Sequence, residues 1–258
     1  MIEILPIYNE PLITIVSKRK KIVVITDTHI GIEYEYFREG IVLKSESGRL
    51  IELLSGLQKE YKFDKLVHLG DLKHSITGLN FREVREVTDF LKKLKSLFPE
   101  VIVVPGNHDC YLKRIVPSEI KIASSKGYIE IVDNKKVGFI HGHAWAYKKV
   151  CKTDYLLFGH NHPAISWREE NGKVHRKPCW VRTGFNIEKS RNIYPKCEPE
   201  VIFVPSASLH AGFYPLNMPK NREHGPLLRN GIIDIYNANI YMLDGTFLGR
   251  LNEIIVDW

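Results

Sequence analysis

Five short apolar runs in this sequence each end in side chains that bind metal or move protons: Asp27 and His29; Asp71; Asn107 with His108; His141 with His143; and His160 with His162. A single histidine after a strand is usually a satisfied structural residue. Five coincident strand ends point instead to one shared centre. Imidazole, carboxylate and amide oxygen, with no thiolate, form a borderline hard donor set suited to manganese, iron or zinc rather than calcium or copper(I). The spacing Asp27-x-His29 and His160-x-His162 sends both members of a pair to one side if the segment is extended, so each pair is expected to converge on metal. His68, His175, His210 and His224 have no such placement, and His68, inside an apolar run, is expected in the core or on a sheet surface.

The elements that must carry these groups are legible as alternating strands and helices. Residues 22–26, 65–69 and 101–104 are β-branched apolar runs with the look of buried strands. Between them, Leu50, Leu53, Leu54, Leu57 and Tyr61 mark one helical stripe, and Val84, Val87, Leu91, Leu94 and Phe98 mark another, begun by Asn80 and Glu83 at capping-box spacing. Such alternation implies a parallel or mixed sheet with its ligand-binding groups at the carboxyl ends of the strands. The second half should turn largely antiparallel, with strands at 127–132, 136–140, 155–158, 201–204, 232–236, 240–243 and 247–251, a weak helix at 145–151 and a hairpin turn at Asp244-Gly245. Residues 169–196 and 207–229 read as surface excursions near a site or interface. The expected architecture is α/β, a single domain over residues 1–258 with two stacked sheets and its catalytic motifs within 22–165.

With 258 residues, 44% hydrophobic and 26% charged, the chain has ordinary globular composition, which argues against general disorder. There is no run of 18 apolar residues, and the first residues lack the basic-then-apolar pattern of a signal peptide, so a cytoplasmic protein without a membrane partner is expected. Cys110, Cys151, Cys179 and Cys197 match no zinc-pair spacing and are expected as reduced, structural thiols. The net charge is +7. Residues 145–192 hold ten Lys/Arg against four Asp/Glu, a footprint that fits a polyanionic partner. Trp145, Trp167 and Trp180 lie in that segment, where rings between cations can stack unpaired bases.

The motifs DTH at 27–29, GD at 70–71, GNHD at 106–109, HGH at 141–143 and GHNH at 159–162 resemble, in order, the five blocks of the calcineurin-like metallophosphoesterases. The resemblance implies a four-layer α-β-β-α sandwich of two mixed sheets flanked by helices. It implies that Asp27, His29 and His162 hold one metal, that Asn107, His141 and His160 hold a second, and that Asp71 bridges them. Two divalent ions so placed, most simply Mn2+ with iron or zinc as alternatives, activate water and clamp a phosphoryl group for in-line attack. His108 would then act as general acid, with Asp109 orienting its ring, and His143 is a further ligand, a substrate contact or a hydrogen-bond support. The DTHIG run with Tyr34, Tyr36 and Phe37, and GDLKH with His74, are similar to the SbcD-type repair nucleases and especially to a short archaeal group related to them. There the residue matching His74 acts near the scissile strand. Only 96 residues follow His162, too few for the full capping lobe of those nucleases. The function so implied is a metal-dependent phosphodiesterase acting on DNA or RNA, with an ATPase or helicase companion suggested by the same likeness. A small-molecule phosphatase or nucleotide phosphodiesterase is the enzymatic alternative, and a non-catalytic nucleic-acid-binding or scaffold protein the alternative of another class. Oligomeric state is open.

Overall fold

In the computed structural model, which describes residues 2–76, 81–218 and 225–256, the chain opens with an antiparallel pair, β1 (Glu3–Pro6) and β2 (Ile13–Val16), that was not expected from sequence. β2 pairs antiparallel with β3 (Lys21–Ile25). Helices α1 (Ile32–Arg38) and α2 (Glu46–Tyr61) then lead to β4 (Lys65–His68), and α3 (Phe81–Leu97) leads to β5 (Glu100–Val103). β3, β4 and β5 are parallel, with Val24 opposite Val67 and Val67 opposite Ile102. β6 (Lys121–Ile122) completes a six-stranded sheet in the order β1-β2-β3-β4-β5-β6. Both faces of its central strands are buried, which is why they read as unbroken apolar runs. Val23, Ile25, Leu66 and Val101 pack under Leu50 and Leu54 of α2 and Val87, Leu91 and Leu94 of α3.

The second sheet contains β7 (Tyr128–Val132), β8 (Lys135–Ile140), β9 (Tyr155–Phe158), β10 (Pro163–Arg168), β11 (Val174–Thr183), β12 (Glu200–Phe203) and β13 (Tyr214–Pro215), in the order β13-β10-β11-β12-β9-β8-β7. A hairpin of β14 (Asn239–Met242) and β15 (Phe247–Arg250) attaches to β11, turning at the expected Asp244-Gly245. Its centre, β8-β9-β12, is parallel and most of its remaining pairs are antiparallel. Ile22, Val24 and Val67 of the first sheet meet Phe139, Leu157 and Ile202 of the second in a shared core. The outer face of the second sheet is covered thinly, by α4 (Lys148–Cys151), α5 (Ile187–Ser190), α6 (Pro226–Arg229) and coil. The result is the expected α-β-β-α sandwich, with one outer layer of long helices and one of four-residue turns.

Three expectations are corrected. Residues 232–236 form no strand: Ile232 and Ile233 are buried, but the segment makes only a single bridge, Ile233 to Phe185. Apolar character reported burial there, not pairing. Residues 169–196 are not mainly an excursion, because β11 runs through them. Its first half carries exposed Arg176 and Lys177 and its second half buries Cys179, Trp180 and Val181, so the charged half concealed the strand. The helix at 145–151 shrinks to α4. The Asn80 cap and His224 lie outside the described residues. All four cysteines are free thiols. Among the described residues no helix is long and apolar enough to cross a membrane.

Candidate metal centre

The parallel register of β3, β4 and β5 brings the turns after them level, and those turns carry Asp27, Asp71 and Asn107. Backbone bonds tie the turns together: Asp27 N–H donates to the Gly70 carbonyl at 3.0 Å and His29 N–H to the Asp71 carbonyl at 2.9 Å. Across the sandwich, parallel β8 and β9 end at His141 and His160. The paired side chains do not converge through a strand pleat, as their spacing suggested. Asp27, His29, Asp71, His160 and His162 all have left-handed backbone, with φ of 51°, 46°, 48°, 70° and 41°. Non-glycine residues adopt this region at a cost that surrounding structure must offset, and such residues cluster at functional sites. Gly70, at φ 85°, belongs to the same turn, and a side chain there would run into the His141 ring and the Gly106 amide.

Three sets of donors result, one of which, His29/His74/His108, shares His29 with another. In each of Asp27/His29/His162 and Asp71/His141/His160 the ligand atoms lie within 4.8 Å of one another. Asp71 Oδ2 is 3.3 Å from His141 Nε2 and 3.9 Å from His29 Nε2, within reach of both. His29 Nε2 and His162 Nε2 face each other at 3.3 Å, and His162 Nε2 is 3.4 Å from Asp27 Oδ1. The outer nitrogens fix the tautomers. His141 Nδ1 donates to the Leu69 carbonyl at 2.7 Å and His162 Nδ1 to the Gly212 carbonyl at 3.1 Å, so that both rings turn Nε2 inward. Asp27 Oδ1, Asn107 Oδ1 and His141 Nε2 are buried without a hydrogen bond. Unpaired buried acceptors are costly unless something else satisfies them. Buried polar atoms left without partners, two of them belonging to these donor sets, fit divalent cations.

The charge states agree. Burial alone would raise Asp27, but His162 and His141 bring it down to about 2. Asp71 is likewise held well below the usual carboxylate range, burial being outweighed by His141, His108 and His29. Burial lowers His29 and His160 to about 3, aided by His162 and His141 respectively. Burial opposes charge on His141 too, yet Asp71 and Asp27 push it up to about 9. A cation entering here meets ionised carboxylates and two neutral imidazoles, and displaces a proton from His141.

The residues expected to be catalytic separate. His108 Nδ1 donates to the His74 carbonyl, so the proton it can give up sits on Nε2, which faces the pocket 3.8 Å from Asp71 Oδ2. Asp109 does not orient that ring. Its Oδ2 accepts from Gly106 N at 2.8 Å and its Oδ1 from Leu72 N at 3.0 Å and Lys73 N at 3.3 Å, which joins two turns through a buried carboxyl raised by burial and by Asp71 to about 6. His74 lines the pocket but is engaged: Nδ1 lies 3.3 Å from His29 Nδ1 and Nε2 lies 2.6 Å from Glu35 Oε2. Glu35 was missed from sequence, since only the fold of α1 brings it to His74. Gly212 was missed as well, its contribution being a carbonyl. His143 packs 5.2 Å from the His141 ring and 6.2 Å from the His160 ring, with Nδ1 buried and unbonded. His68 is a core residue, lying 2.9 Å from Thr28 Oγ1. The pocket, of about 330 Å³, is closed on one side by residues 211–214. Of the three tryptophans in the basic segment, Trp180 is buried between the sheets, which removes it as a stacking platform.

The model of the calcineurin-like phosphoesterase family matches residues 20–162. Among solved structures, the chain is similar to the nuclease MPE of Pseudomonas putida at 17% identity and a TM-score of 0.49, covering 95% of this chain and 100% of that one. It is also similar to YfcE, a phosphoesterase from E. coli, at 15% identity and a TM-score of 0.40, covering 74% of this chain and 83% of that one. No curated protein matches the sequence.

Proposed function

The chain belongs to the calcineurin-like phosphoesterase family, and from that membership we propose that it is a two-metal phosphodiesterase with nucleic acid as favoured substrate. The observation that carries the two-metal reading is the pair of donor triads with Asp71 Oδ2 in reach of both. Asp27, His29 and His162 would hold one ion, Asn107, His141 and His160 the other, and Asp71 both. The donor set is borderline hard, which favours manganese, with iron and zinc as alternatives. When bound, such ions supply Lewis acidity toward the phosphoryl oxygens and make water a competent nucleophile near neutral pH. His108 presents Nε2 to the same pocket and donates a proton to the leaving oxygen. His29 reaches the site through Nε2 because its Nδ1–H is taken by His74, which Glu35 holds in turn. His74 is therefore a positioning residue for His29, and it also lines the pocket in which a scissile strand would lie. Nucleic acid is favoured over a compact anion by the basic stretch 145–192, with ten Lys/Arg against four Asp/Glu, which begins two residues after His143.

Metal-free protein given manganese, zinc, magnesium or nothing, and assayed on a labelled oligonucleotide, a cyclic nucleotide, a phosphomonoester and bis(p-nitrophenyl) phosphate, tests this reading. Manganese-dependent cleavage of the oligonucleotide and the diester is expected. Intact oligonucleotide beside rapid turnover of small esters would overturn the substrate assignment, and no turnover with any metal would leave a binding or scaffold protein.

A further inference from the structure

The basic segment read from sequence divides in space. Its part from 168 to 177 lies on the β10–β11 hairpin, and β10 leads straight away from His162, so at a strand rise of roughly 3.3 Å per residue that tip stands well off the pocket. Its part from 145 to 152 follows directly on His143, whose ring lies 5.2 Å from that of His141. Trp145 follows His143 by two residues, a span of at most about 7 Å of chain. The register of β7 on β8, Tyr128 opposite Phe139, carries the start of β7 to the end of β8 that bears His141. There Tyr147 N–H donates to the Lys126 carbonyl at 2.9 Å, and the Tyr147 ring lies 5.6 Å from both Lys126 Nζ and Lys149 Nζ. Ala123 N–H donates to Val103 O at 2.8 Å, which sets residues 123–126 against the end of β5. The cavity on that side, lined by Tyr111, Arg114 and Ser125 among others, includes Asp109 as its one acidic residue, with both carboxylate oxygens already bonded to backbone. Arg114 sits 4.8 Å over the Tyr111 ring.

Resting on the phosphodiesterase reading above, we infer that Tyr111, Arg114, Lys126, Trp145, Tyr147 and Lys149 form a track that holds single-stranded nucleic acid as it enters the pocket. The three rings are 51%, 41% and 43% exposed. Arginine and lysine in contact with two of them place cations where a backbone phosphate passes beside a stacked base. Tyr147, its ring flanked by two ammonium groups, orders the cations, and Trp145, whose ring lies 6.3 Å from that of Tyr194, keeps its exposed side for stacking. A duplex keeps its bases inside and cannot use such faces, so the geometry selects an unpaired strand. Phosphate contacts make binding steeply salt-dependent.

The test is fluorescence anisotropy with the manganese-loaded full chain and a labelled oligothymidylate whose phosphorothioate linkages resist cleavage. Lys126→Glu/Lys149→Glu is expected to weaken binding more than about tenfold and to lower the log–log salt slope by at least about 1. Trp145→Ala is expected to weaken it about tenfold, with Trp145→Phe restoring most of the loss. Lys173→Glu/Lys177→Glu, the same charge change on the distant hairpin, should cost less than about twofold. Equal binding by wild type and the track variants, an equal loss in the hairpin variant, or a duplex bound as tightly as the single strand would each overturn the inference. If the wild type ignores the oligonucleotide yet hydrolyses bis(p-nitrophenyl) phosphate, the track falls and the hydrolytic reading stands. If the strand binds through these residues and no diester is cleaved with any metal, the track stands and the hydrolytic reading falls.

Discussion

At the amino end of β4, Lys65 Nζ lies 2.6 Å from Glu130 Oε2 on β7 and 2.9 Å from Glu100 Oε2, while Lys20 and Tyr128 also bond Glu130. At the carboxyl end of the same strand, Asp71 and Asp27 meet the histidines of the second sheet. Each cluster buries charge and joins the two sheets across their shared core. In the first, every carboxylate oxygen of Glu130 has a donor, Lys65 rises above its usual value because Glu130 and Glu100 outweigh burial, and Glu130 falls below 4.5 because Lys20, Lys65 and Tyr128 outweigh burial. In the second, acceptors remain without donors and five residues hold left-handed backbone. A cluster closed on itself contributes to the fold. One left open, and strained to stay so, is built for something that arrives later.

The comparison breaks if the two ends respond alike to metal. Manganese at about 100 times its dissociation constant should raise the melting temperature by roughly 5–10 °C. Asp71→Asn should abolish that response, and with it diester turnover, by more than the roughly 10²–10⁴-fold owed to a general acid, whereas Glu130→Gln should keep the response. His108→Ala should lower turnover by about 10²–10⁴-fold while calorimetry still counts the wild-type number of bound manganese ions. Lost metal binding in that variant would make His108 a ligand instead. At the closed end, Lys65→Met should destabilise the fold by about 3 kcal/mol in urea titration, because it leaves buried Glu130 short of a partner, with turnover per folded molecule unchanged. Glu35→Gln should weaken manganese affinity about tenfold by releasing His74 and so His29, and an unchanged affinity would remove Glu35 from the site. The smallest effect concerns pH. Because the folded state lowers the Glu130 pKa, its stabilisation is present above 4.5 and is lost as pH falls through the folded value. The stability gap between wild type and Glu130→Gln should therefore be open at neutral pH and close in acid.

Much of this was written in residue order. The runs before Asp27, Asp71, Asn107, His141 and His160 became β3, β4, β5, β8 and β9, because a strand buried on both faces must be apolar and the polar residue that ends it must lie at its tip. The stripes at Leu50 and Val87 became α2 and α3 for the corresponding reason at helical period. Which residue types gather at the site was thus decided locally. How they meet was not. The alternate spacing of Asp27 and His29 suggested an extended pair, but backbone bonds to the turn after the neighbouring strand hold both in left-handed turns. Asp109 sits beside His108 in the chain yet serves Gly106, Leu72 and Lys73. Glu35 reaches His29 only through His74, and Gly212 orients His162 from 50 residues away. The positive segment parted into a stretch beside His143 and a distant hairpin once β10 ran outward. Side-chain type and period belong to the chain, because burial rewards them residue by residue. Partner, tautomer and orphaned acceptor exist only after distant segments pack, because each is a relation between atoms that sequence order does not bring together.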